Sequence, residues 1–169
     1  MGRNQGSVGG LWGPFAVDQN DDYQRWRDWK MAQAPQRIEE LVVEVDDPAS
    51  LSGAERSELL ARVRRANMAL YTAKTIKVEK ETIRKVGRCF DLENLDSNML
   101  ADDDGITPLH VAAGEANGRP RYIPYTNRAI NWHTDGYYNT LDNQIYGLLL
   151  HCGCDAAEGG INQVLDHEI

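Results

Sequence analysis

A run of β-branched residues stops at an Asp-Asp-Pro break and gives way almost at once to a helix-start signature. That junction leaves the chain few ways to fold. Leu41-Val42-Val43-Glu44-Val45 reads as a strand, because branched side chains pack well on a pleated surface. Asp46-Asp47-Pro48 ends it, since proline has no amide to give to a ladder. Ser52-Gly53-Ala54-Glu55 is a capping box, in which the Ser52 hydroxyl accepts from the Glu55 amide while the Glu55 side chain reaches back. Leu59, Leu60, Val63, Ala66 and Leu70 then recur at helical spacing. They predict a helix with one face packed and Arg56, Arg62 and Arg64 in solvent. Helical character resumes over 78–88, where Val78, Thr82, Ile83 and Val86 stand among lysines and arginines.

Upstream, residues 1–22 are rich in Gly, Asn and Asp and predict an extended arm that Trp12, Pro14 and Phe15 could pin to an apolar surface. Tyr23, Trp26, Trp29 and Met31 follow close to helical spacing and stop before Pro35. An amphipathic helix is the first reading of this stripe, and a cage of aromatics around a cofactor is the second. Downstream, the pattern turns to short runs. Asp102-Asp103-Asp104-Gly105 lacks the spacing and closing Glu of a calcium loop, so it reads as a turn into a strand over 106–113. A second apolar strand is expected over Ile145–Leu150. A strand and two helices followed by a strand-rich half make the chain α+β.

Composition excludes several classes. With 169 residues the chain suits one domain with a real core, and no apolar run is long enough to cross a bilayer. The first residues lack the apolar region of a secretory signal, which predicts a cytoplasmic protein with no membrane insertion. Three cysteines fit a reducing compartment. Cys152-Gly153-Cys154 has one intervening residue instead of the two of common zinc pairs, so small buried strand residues are expected there. The net charge of −8 is concentrated late: residues 101–169 hold Arg119, Arg121 and Arg128 against ten acidic side chains. That balance argues against a nucleic-acid partner.

The richest stretch chemically is Tyr125 to Asn139, which contains His133-Thr134-Asp135-Gly136. Side chains two apart on an extended strand share a face, about 6.7 Å apart along the chain, and can lean toward one metal ion. On a helix they would point nearly opposite ways. A shared ligand therefore implies a strand or strand end, with Gly136 turning the backbone away and Trp132, Tyr137 and Tyr138 half-buried beside it. Spacing alone favours a surface strand that carries a His and an Asp on one face with no ligand.

Asn131-Trp132-His133-Thr134-Asp135-Gly136, followed by the apolar run, Glu158-Gly159-Gly160 and Val164-Leu165-Asp166, resembles the taurine dioxygenase (TauD/TfdA) family. The likeness is specific over 122–169 and looser over 36–121. It implies an iron(II)- and 2-oxoglutarate-dependent oxygenase that hydroxylates a small molecule. By the resemblance His133 and Asp135 are two of the three metal ligands of a facial triad, and Asn162 touches the co-substrate. Residues 1–35 then form an arm and short helix, and 36–169 the N-terminal portion of the oxygenase domain. The implied fold is an incomplete double-stranded β-helix (jelly roll) with helices packed against it. Such a barrel takes about eight strands, and four or five are expected after residue 100. The family's distal His and co-substrate Arg lie beyond the matching residues. His110, His151 and His167 stand in the wrong contexts to replace that His. A second protein chain covering the open barrel edge and supplying both groups is the leading expectation. The alternatives are a catalytically incomplete subunit with a binding or structural role, or a truncated piece of an ordinary oxygenase.

Overall fold

The computed structural model describes residues 13–16, 18–74, 79–96, 102, 104–111, 122–166 and 168–169. It divides into two compact units, one drawn from Met1–Asp47, Leu51–Thr75 and Asp155–Ile169, the other from Pro48–Ser50 and Ile76–Cys154. The described residues are α+β, with three α-helices and one two-stranded parallel sheet.

The first unit is built around the junction already read. Strand β1 (Val42–Val45) pairs in parallel with β2 (Leu70–Ala73), Val42 opposite Leu70 and Val45 opposite Ala73. Parallel neighbours need a long crossover, and helix α2 (Gly53–Ala66) supplies it and packs on β1. Along β1 burial alternates: Val43 and Val45 are buried with Leu41 and Leu59, while Glu44 faces solvent. This is the core of the unit. The capping box forms as read, and the Glu55 carboxylate accepts from the amides of Ser52 at 2.6 Å and Asp46 at 2.7 Å. Those two bonds and the Ser52 hydroxyl hold its carboxyl below the usual glutamate range, the Ser52 side chain being the largest cause. The helix ends one turn earlier than the apolar spacing predicts. Asn67 adopts the left-handed conformation (φ 55°) and caps it, so Leu70 opens β2 instead of extending the helical face.

Helix α1 (Asn20–Gln33) corrects a second expectation. Its buried residue is Lys30, whereas Trp29 and Met31 are exposed. The stripe is not a plain apolar face, because Lys30 is drawn inward by carboxylates far along the chain. Helix α1 touches α2, where Arg65 donates to the Gln33 carbonyl and pairs with Glu40.

In the second unit, helix α3 (Lys80–Arg88) buries Thr82 and Val86, four apart on one face, and Gly87. A short turn at Pro48–Ser50 packs on it. A β-carbon at Gly87 would stand 3.3 Å from the Leu92 carbonyl, so glycine permits that close approach. The Asp102–Gly105 segment is the turn expected: Gly105 donates to the Asp102 carbonyl at 2.8 Å, and Lys80 bridges Asp102 (2.7 Å) and Asp104 (2.9 Å).

The strands expected beyond residue 100 are not formed among the described residues, and no jelly roll is present there. Residues 106–111 and 144–150 form no ladder, and the rest of the expected 106–113 strand lies outside the described residues. A strand requires a neighbour for its amides and carbonyls. In the 144–150 run Ile145 and Leu149 are half-buried and the other five residues, Tyr146, Leu148 and Leu150 among them, are exposed.

Candidate metal centre

The His-x-Asp segment is secured on both sides by local hydrogen bonds. Upstream, Ile123–Tyr125 forms a single 3-10 turn, and Tyr125 is buried. The Thr126 hydroxyl donates to the Ile123 carbonyl at 2.8 Å and accepts from the Arg128 amide at 3.2 Å. Downstream, a turn over 135–138 closes with Asn139 donating to the Gly136 carbonyl at 2.9 Å. Gly136 has φ +70°, and a β-carbon there would lie 2.5 Å from Ile145 Cδ1. Conformation and space both require glycine at this position. The Asn139 side-chain Nδ2 donates to the Asp96 carboxylate at 3.2 Å and to the Asn143 carbonyl at 2.9 Å, which fixes the far side of the turn.

Between these anchors the structure brings His133 and Asp135 together. His133 Nε2 lies 3.6 Å from Asp135 Oδ1, and each side chain is 49% exposed. They meet at the mouth of a turn and not on a strand, which corrects the expected backbone. Trp132, Tyr137 and Tyr138 are exposed instead of half-buried, for no neighbouring strand covers them. The two tyrosines pack edge to face, 5.2 Å between ring centres.

The other ring nitrogen decides the chemistry. His133 Nδ1 is 2.7 Å from the Asn131 carbonyl oxygen. A carbonyl only accepts, so Nδ1 carries a proton. In the neutral ring Nε2 is then a lone pair, turned toward another acceptor on Asp135. Both side chains are half exposed, so water reaches the gap between them as readily as an ion would. With both donors about 2.1 Å from one ion, the 3.6 Å separation would subtend about 118°, wider than the right angle between neighbouring ligands of a facial triad, so the pair would have to close by about 0.6 Å to serve as one. A carbonyl-bound Nδ1–H is also the usual way a ligating imidazole is oriented. His133 and Asp135 are thus two neighbouring donor side chains.

Other expected positions fall elsewhere. Asn162 belongs to the first unit, where it is exposed and its amide donates to the Gly160 carbonyl at 3.3 Å. His110 is exposed, His151 is half-buried, and His167, Arg119 and Arg121 lie outside the described residues. Cys152 and Cys154 are exposed thiols outside any strand, not the small buried residues expected, and Cys152 Sγ is 3.5 Å from the Cys154 carbonyl oxygen. No group of three His, Cys, Asp or Glu gathers among the described residues.

Sequence reasoning missed one charged cluster, in the first unit. Lys30 Nζ reaches Asp166 at 2.9 Å, pairs also with Glu168, and stands 5.0 Å from the Trp26 ring centre. Burial alone would lower the lysine, but the two carboxylates outweigh it and hold it above its usual value. Burial would likewise raise Asp166 and Glu168, and the Lys30 ammonium leads the interactions that hold both below the carboxylate range. The one hint in the sequence was a lysine set inside an aromatic stripe. Compared with protein-family models, curated proteins and solved structures, the chain matches none.

Proposed function

We propose that the chain is a subunit of an iron(II)- and 2-oxoglutarate-dependent oxygenase similar to the TauD/TfdA family. His133 through Nε2 and Asp135 through Oδ1 would hold the metal. One observation carries this reading: Nδ1 is committed to the Asn131 carbonyl while Nε2 faces a carboxylate oxygen at 3.6 Å. When bound, iron with 2-oxoglutarate supplies oxidation of a substrate C–H bond coupled to decarboxylation of the co-substrate. The residues of this chain have simpler tasks. Asn131 fixes the imidazole, the Gly136 turn sets the carboxylate, and Asp135 offsets part of the metal charge.

A second polypeptide supplies the third donor, an imidazole, and the arginine that clamps the 2-oxoglutarate carboxylate. It also completes the jelly-roll barrel by pairing with the 144–150 run, whose Tyr146, Leu148 and Leu150 are exposed. The acidity of residues 101–169 favours a partner that brings the basic groups.

The test is anaerobic metal titration of the chain, with cobalt(II) as spectroscopic probe. His133→Ala and Asp135→Ala are each expected to weaken binding by at least about tenfold, or ~1.4 kcal/mol. Binding that neither substitution changes would remove the site. A second reading follows from the absence of a third donor among the described residues: a catalytically incomplete subunit with a binding role. Metal binding without succinate release in the complete native complex would select it.

A further inference from the structure

Two cysteines of the second unit, Cys152 and Cys154, flank a bend at Gly153, and both side chains are exposed. Residues two apart on an extended chain stand about 6.7 Å from each other along it. Bridgeable cysteines have α-carbons about 4.4–6.8 Å apart, so an extended run lies at the limit and a bend brings the pair inside it. Gly153 adds no side chain to the ring that would close. The Cys152 thiol already leans toward its neighbour: it donates to the Cys154 carbonyl oxygen at 3.5 Å, which holds the sulfur over the residue that carries the second thiol. Two thiols alone do not make the four-donor set of a structural zinc site, and no group of three ligating side chains gathers among the described residues. Redox chemistry is what the pair can do by itself.

We propose that Cys152 and Cys154 are a thiol–disulfide exchange site, a dithiol that closes to an internal disulfide at the expense of a small glutathione-type disulfide. The thiolate of one cysteine attacks a sulfur of the external disulfide, that S–S bond breaks, and one small thiol leaves. The thiolate of the other cysteine then attacks the protein sulfur of the mixed disulfide and expels the second small thiol. The cysteine pair gives up two electrons, the external disulfide takes both, and the two cysteine protons end on the released thiols. Closure outruns further exchange with solution because the second thiol is held on the same bend. A ring closed over one residue departs from relaxed disulfide torsions, and strained, exposed disulfides are readily reduced, so the link is reversible. No metal-site residue takes part, so this goes beyond the oxygenase reading and does not depend on it.

The test equilibrates the full chain with glutathione and glutathione disulfide in varied ratio, followed by acid quenching, intact mass and peptide mapping. The expected product is a monomer whose thiol count has fallen from three to one, linked Cys152 to Cys154 and returned to the dithiol by dithiothreitol. In Cys152→Ser the link should be lost, with glutathione retained on Cys154 instead. Cys89→Ser should leave the link intact, which separates the pair from exchange at the third cysteine. Glutathione carried on both cysteines of the unsubstituted chain without closure, a link that includes Cys89, or a dithiol unchanged in excess glutathione disulfide would each overturn the proposal.

Discussion

At the scale of single residues, Gly136 and Lys30 are the positions most dependent on their surroundings. Gly136→Ala places a β-carbon in a left-handed backbone and 2.5 Å from Ile145 Cδ1. We expect a loss of about 1–3 kcal/mol in chemical denaturation, together with weaker metal binding because Asp135 is the neighbouring residue. Lys30 sets the response to pH. Asp166 and Glu168 have lowered folded-state values, as do Glu40, Glu55 and Asp104, so their stabilisation is present above the ordinary carboxylate range. It is lost as pH falls below about 4. Lys30 and Lys80 have raised values, so their stabilisation is complete below about pH 10 and fades only above it. These groups should therefore make the thermal midpoint drop on the acid side, below about pH 4, and on the alkaline side only above about pH 10. The pair Asp166→Asn and Glu168→Gln should lower the midpoint at neutral pH and flatten the acid limb. An unchanged acid limb in that variant would remove the cluster from the account.

At the scale of elements, the legible parts were those whose cause is local. The Asp-Asp-Pro stop and the Ser52–Glu55 box are settled by neighbouring residues, and both formed as read. Ser52→Ala should cost about 1 kcal/mol in denaturant unfolding, through loss of the bond to the Glu55 amide. Leu70 was misread because helical spacing continues across Asn67, and no periodicity signals a left-handed cap. Trp29 and Met31 were misread because the partners of Lys30 lie more than 130 residues away. The strands after residue 100 were misplaced for the same reason. Alternating apolar residues state a preference for a sheet, but the partner that would satisfy their amides is not written in the run itself. The candidate site was half legible. Two-residue spacing pointed to a shared strand face, whereas His133 and Asp135 approach each other across a turn, and neither that turn nor the Asn131 carbonyl that the ring meets is written in the spacing.

At the scale of the whole molecule, the oxygenase function proposed for the chain depends on a partner. Tyr146 is 89% exposed, and Leu148 and Leu150 are exposed beside it, a surface that favours association. Replacing Tyr146 and Leu148 by lysine should keep the isolated chain monomeric at higher concentration and abolish assembly with the proposed second polypeptide, both visible in sedimentation velocity. The central claim is that His133 and Asp135 supply two ligands to a metal completed by another chain. Native mass spectrometry with metal analysis, on untagged protein isolated from its own cells, tests that claim most directly. The predicted result is a stable complex with a second polypeptide carrying about one iron per pair, the iron lost in His133→Ala. A complex free of iron, or iron retained without His133, would contradict it.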